Sequence, residues 1–255
     1  MDAYRQLARY PIFTAGDVEE LTGNKNTAYS LIKSLIKRGL ARKIRNNQYS
    51  LVNPATDQLV ANKYQIASSI TPTSYISHHS AFEYYGLSNQ VYNELYVSSK
   101  TKFYSFEYEG ITYTYVASRM DEGIVEAKNI KGVVITDLER TVIDSIHDVN
   151  KIAGFEELLN CIEGVQYLDE SKIKKYLQGY NKQILFQRSG FIFEHLQPTL
   201  GVSSDLIEYC NRRVGLSKRY LINDAHGRST FNRKWNLMVP DEIYSMMGKE
   251  GDDFV

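Results

Sequence analysis

Cysteine is scarce: Cys161 and Cys210 are the only two in 255 residues, too few for a disulfide framework or a four-cysteine zinc site. No window approaches the roughly 20 uninterrupted apolar residues that a bilayer demands, so a spanning helix is excluded and no membrane is expected as a partner. The N-terminus lacks the basic-then-apolar pattern of a secretory signal, which makes a reducing cytoplasm the expected compartment. HExxH, GxSxG, Walker and GxGxxG patterns are absent. The five histidines, His78, His79, His147, His195 and His226, are scattered, and the one adjacent pair would diverge on a helix rather than converge on an ion. No catalytic residue, metal ligand or cofactor is therefore expected. Internal repeats and low-complexity segments are also missing.

Net charge is absent too, with 30 basic against 30 acidic residues. Binding to polyanions depends on where charge sits rather than on its sum. Residues 1–55 carry nine Lys/Arg and four Asp/Glu, and residues 212–234 carry seven and one, while the middle and the tail are acidic. Between residues 24 and 52 lie Lys25, Lys33, Lys37, Arg38, Arg42, Lys43 and Arg45 without one acid. Either basic block could face phosphate, or each could be a solvated surface balanced elsewhere.

The first fifty residues predict three helices and a hairpin. A short amphipathic stretch, Asp2 to Arg9, is stopped by Pro11. In the second helix Thr14 and Asp17 have capping-box spacing, Val18 and Leu21 form a small stripe, and Gly23 ends it. Asn24 suits the N-cap of a third helix, whose Ala28, Leu31, Ile32, Leu35 and Ile36 share one face. Gly39 fits its C′ position. ARKIR and QYSLV follow as a basic hairpin, joined by Asn46 and Asn47, which tolerate positive φ.

That order is the layout of a winged helix-turn-helix, whose second paired helix enters the major groove of DNA. Lys25, Asn26 and Thr27 at the helix start are candidate base readers. Ser30 lies on the same polar face, and Lys33, Lys37, Arg42, Lys43 and Arg45 are candidate phosphate contacts. The alternative is a protein-docking module of the same shape.

Asn53 to Ala55 mark an exit, giving expected domains at 1–55 and 56–255. TDQLVANKYQIASSI predicts a linking helix, and YIS a strand. HHSAFEYYGL reads as a helix stopped by Gly86, and ELYVSS, KFYSFEY and ITYTYVA as strands with a turn at Tyr108–Gly110. GVVIT runs into the helix LERTVIDSI, with Thr136 and Glu139 at capping-box spacing. FEELLNCI, SKIKKYL and SSDLIEYC carry helical stripes, while KRYLI and KWNLMV suggest short strands. The second domain is thus expected to be α+β. Ten of the 20 tyrosines fall between Tyr64 and Tyr115, where half-buried strands or a partner interface would account for them.

Asp137, Glu139 and Asp144 gather near a strand end as metal-nuclease carboxylates do, although helix capping explains the first two without chemistry. The winged helix ending in GLARKIRNNQYSLV, together with YISHHSAFEYYGL and ITDLERTVIDSI, resembles the AbiEi antitoxins of bacterial type IV toxin-antitoxin systems, from about Phe13 to the Arg233 region. The residues themselves lead to no expectation of an enzyme, and the resemblance implies a repressor of its own operon, whose N-terminal domain binds inverted repeats in double-stranded promoter DNA. It also implies a C-terminal antitoxin domain acting against a nucleotidyltransferase-like toxin, without a stable complex, in abortive infection. Arg212, Arg213, Lys218, Arg219, Arg228, Arg233 and Lys234, opposed only by Asp224, are the candidate antitoxin surface. A nuclease targeted by the winged helix is the competing expectation.

Overall fold

The computed structural model describes residues 2–222 and 228–247. The chain opens with α1 (Asp2–Leu7), α2 (Ala15–Thr22) and α3 (Lys25–Lys37), then the antiparallel hairpin β1 (Ala41–Arg45) and β2 (Gln48–Asn53). This is the element order expected of a winged helix, with α1 two residues shorter than its apolar pattern suggests. The cap of α2 forms as the spacing predicts: Thr14 accepts from the Asp17 N–H, and the Asp17 carboxylate accepts from the Thr14 N–H at 2.6 Å. Asn24 caps α3 by accepting from the Thr27 N–H at 3.1 Å. Past Arg38, the Leu40 N–H reaches the Leu35 carbonyl at 2.9 Å and the Gly39 N–H the Ile36 carbonyl at 3.0 Å, a Schellman ending.

One side of α3 buries Ala28, Ile32 and Leu35 against Leu7, Phe13, Val18 and Leu51, with Leu31 packed at the margin. Ile36, expected on this face, is instead 40% exposed. Only Asn47 in the hairpin turn takes a left-handed φ, 56°, and its side-chain oxygen accepts from the Ala15 N–H at 2.9 Å. The turn is thereby pinned to the start of α2.

The stretch expected as one linking helix divides in two. β3 (Gln58–Leu59) turns back to pair with β2, and α4 (Lys63–Ser69) starts only at the Asn62–Gln65 capping box. There follow β4 (Tyr75–Ile76), α5 (His79–Tyr84), β5 (Glu94–Ser99), β6 (Phe106–Tyr108), β7 (Ile111–Ala117), β8 (Ile124–Glu126) and β9 (Val134–Thr136). The sheet order is β6-β7-β5-β4-β9-β8. It is mixed: β5 runs parallel to β7, and β4 parallel to β9 but antiparallel to β5.

The remainder is mainly helical: α6 (Leu138–His147), a 3₁₀ turn at Val149–Lys151, α7 (Phe155–Glu163), α8 (Glu170–Tyr180), α9 (Gln183–His195), α10 (Gln197–Leu200) and α11 (Ser204–Asn211). A small sheet of β10 (Arg219–Tyr220), β11 (Ser229–Asn232) and β12 (Leu237–Pro240), ordered β10-β12-β11, precedes α12 (Asp241–Met246). The cap of α6 is Asp137, accepting from the Arg140 N–H at 2.8 Å, whereas Thr136 meets the Thr141 hydroxyl at 2.7 Å inside the core. The expected Thr136–Glu139 box therefore does not form, because Asp137 is one residue nearer the helix and its carboxylate reaches the free N–H.

The fold is α+β. Its contacts divide the chain into a first unit, residues 1–76, 93–117 and 126–135, and a second, residues 77–92, 118–125 and 136–255. The expected cut near residue 55 falls inside the first unit. In the second, α6, α7, α8, α9 and α11 enclose an apolar core with Phe82, Trp235 and Leu237.

Candidate functional site

In the first unit the N-cap and Schellman ending fix α3 at both ends, and its buried stripe sets which side faces out. Lys25, Asn26, Thr27, Ser30, Lys33 and Lys37 are all exposed. Asn26, Ser30, Lys33 and Lys37 fall four, three and four residues apart, one outward ridge of donors. Tyr29, 51% exposed, flanks that ridge; the sequence reading passed over it because tyrosine there fits either face. A helix carrying cationic and amide side chains on one face, with no carboxylate among them, has the chemistry to meet phosphates and base edges.

The hairpin residues divide. Lys43 is exposed. Arg42 pairs with Asp57 at 2.9 Å and Glu109 at 3.2 Å, and the Asp57 charge, aided by Glu109, raises its pKa. Arg45 lies over the rings of Phe106 and Phe103, 5.0 Å and 5.9 Å from their centroids, and burial lowers its pKa. Two of the nine candidate DNA contacts are thus engaged within their own unit.

In the second unit a buried ionic network replaces the loose carboxylate group seen in the sequence. Arg140 and Asp144, one turn apart on α6 and 1% and 2% exposed, join at 2.5 Å. The Tyr180 hydroxyl donates to the same Asp144 oxygen at 2.6 Å, and burial beside Asp144 pushes that phenol up. Asp137 accepts from the Tyr176 hydroxyl at 2.7 Å and pairs with Lys172 at 3.2 Å; Glu139 pairs with the same Lys172 at 3.2 Å. Burial opposes the Lys172 charge, yet hydrogen bonds to these two carboxylates raise its pKa. Gly123 closes against this cluster at φ 75°, where an added Cβ would lie 2.7 Å from the Tyr176 hydroxyl and 2.8 Å from Arg140.

His78 and His79 diverge as expected. His78 bonds Ser77 at 2.8 Å and faces Asp148 at 3.6 Å, while His79 meets Glu157 at 3.2 Å. His78 adopts φ 56° and ψ −138°, a conformation that strains a side-chain-bearing residue. Asp148 also takes a hydrogen bond from His147 at 2.9 Å and pairs with Lys151 at 3.1 Å. Burial works against its charge, but the two histidines and Lys151 hold its pKa far below the usual carboxylate range. His226 and Asp224 lie outside the described residues.

All seven residues of the second basic block are exposed. Arg212 pairs with Glu208 at 3.2 Å, Lys234 with Glu194, Arg213 lies 3.8 Å from the Tyr209 ring centroid, and Lys218 4.6 Å from that of Phe231. Leu216, fully exposed, and Tyr220 stand among them.

No family model and no curated protein matches this chain. Among solved structures it is similar to the RV2827C protein from Mycobacterium tuberculosis, at 12% identity and a TM-score of 0.62, over 96% of this chain and 93% of that one. A likeness at that identity is one of fold alone, and it agrees with the α+β architecture described above.

Proposed function

We propose that the chain is a DNA-binding autorepressor and antitoxin of the AbiEi kind, working in the cytoplasm. The observation that carries the DNA-binding half is the outward ridge of α3, with Lys25, Asn26, Thr27, Ser30, Lys33 and Lys37 exposed together and no acid between residues 24 and 52. In this reading the first unit's opening elements form a winged helix: α3 enters the major groove, its first turn reads bases, and Lys33, Lys37 and Lys43 neutralise phosphates. Inverted repeats in the promoter would be read by two copies. The antitoxin half rests on the sequence resemblance and on the exposed basic block at Arg212–Lys234, which fits a phosphate-bearing partner better than a neutral one.

The nuclease reading has less support, because Asp137, Glu139 and Asp144 are already held by Lys172, Tyr176, Arg140 and Tyr180. The deciding experiment is a gel shift on DNA from upstream of its own gene, with and without Mg²⁺. A salt-sensitive shift of intact DNA supports the repressor. Cleavage on adding Mg²⁺, lost in an Asp144→Asn variant that thermal melting shows to be folded, supports the nuclease.

A further inference from the structure

We propose that the second unit binds a divalent cation of the zinc class between α5 and α7, through His79 Nε2, a Glu157 carboxylate oxygen and the Cys161 thiolate. The three side chains are 2%, 3% and 0% exposed. Glu157 and Cys161 are four residues apart on one face of α7, and the fold brings His79 to them from 78 residues away. Glu157 Oε1 stands 3.2 Å from His79 Nε2 and 3.6 Å from Cys161 Sγ, and all three donor atoms lie within 4.8 Å of one another. A tetrahedral zinc ion, with bonds of about 2.0–2.1 Å to nitrogen and oxygen and about 2.3 Å to sulfur, sets adjacent donors about 3.3–3.6 Å apart. The two short separations are those of a ligand edge.

Charge completes the argument. One thiolate, one carboxylate and a neutral imidazole around a doubly charged cation sum to zero, the condition under which ions tolerate full burial. A mixed nitrogen, oxygen and sulfur donor set selects zinc-like ions over magnesium or calcium, which require oxygen. Without a cation the Cys161 thiol donates to Glu157 Oε1. The cation takes the place of that proton, which leaves to solvent, and the Nε2 proton of His79 that faces Glu157 shifts to Nδ1, so that the imidazole stays neutral and Nε2 is free to ligate. Outside the donor set, the Asn89 N–H donates to Glu157 Oε1 at 3.2 Å and the Tyr92 ring meets His79 edge-on at 4.6 Å, both of which orient the ligands. The ion would clamp α5 to α7. No spacing in the sequence marks this trio, because His79 lies 78 residues from Glu157.

The test uses the full chain purified without chelator. Elemental analysis should find zinc equimolar with protein. Replacement with Co²⁺ should give tetrahedral visible bands and a near-ultraviolet thiolate-to-cobalt band, kept in Cys210→Ser and lost in Cys161→Ser. Removal of the thiolate should weaken Zn²⁺ binding by at least the roughly 10- to 100-fold typical of a lost outer-shell partner. EDTA should lower the thermal midpoint of the wild type. If Cys161→Ser does not fold, the cobalt spectrum and the EDTA response of the wild type decide alone. Zinc-free protein that shows no cobalt–thiolate band, and whose midpoint ignores both Zn²⁺ and EDTA, overturns the site and leaves a hydrogen-bonded cluster.

Discussion

Arg140 is among the largest fully buried side chains, and its charge is met by Asp144 one turn away and by the Glu122 carbonyl, which accepts from its guanidinium at 2.5 Å. Removing one partner strands the other without water. Asp144→Ala should therefore cost about 3–5 kcal/mol in urea denaturation, whereas replacing Arg140 and Asp144 together with apolar residues should cost clearly less than the two single changes summed. Equal, additive losses would show that the pair is not coupled. Asp148 makes a different prediction. Its folded pKa is depressed, so the stability it contributes is complete above the unfolded value of about 4 and is lost as the pH falls below it. The stability gap between wild type and Asp148→Asn should be full near pH 5 and shrink toward about pH 2. A gap independent of pH down to that point would contradict the ion pairs with His78, His147 and Lys151.

Helix α9 crosses the second unit's core so closely that an added Cβ on Gly190 would lie 2.0 Å from the Trp235 ring, which is itself fully buried. Gly190→Ala should destabilise by about 1–3 kcal/mol or more, read as a lowered urea midpoint, and a neutral result would mean that the ring has room to move. This same closeness explains why α9 was hard to read. Leu185, Phe186, Gln187, Ser189, Gly190, Phe191, Ile192 and Phe193 are buried on every side, so no polar stripe marks a period. Helix α3 was legible because it has both signals, a one-sided stripe and flanking cap residues. Its outward ridge could be named from spacing alone. The fates of Arg42 and Arg45 could not, since Glu109 lies 67 residues beyond Arg42 and the rings over Arg45 belong to the distant Phe103 and Phe106. Short strands such as β3 and β8 also escaped, because two or three residues establish no alternation.

Across the whole chain the charges cancel, yet positive charge is concentrated at α3 with the hairpin that follows it and again from Arg212 to Lys234. Exposed pairs such as Arg212 with Glu208 add little to stability, so reversing Arg212, Arg213, Lys218 and Arg219 to Glu should barely move the thermal midpoint while abolishing rescue of cells expressing the toxin. Full rescue by that folded variant would reduce the block to surface. The direct measurement is the salt dependence of binding to promoter DNA, followed by fluorescence anisotropy for the wild type and for Lys33→Ala with Lys37→Ala. Two lost phosphate contacts should lower the slope of log K against log salt by about two units and weaken operator and unrelated DNA alike, while Asn26→Ala should leave the slope and reduce the preference for the operator. Slopes and affinities that stay unchanged in both variants would contradict α3 as the DNA-reading helix.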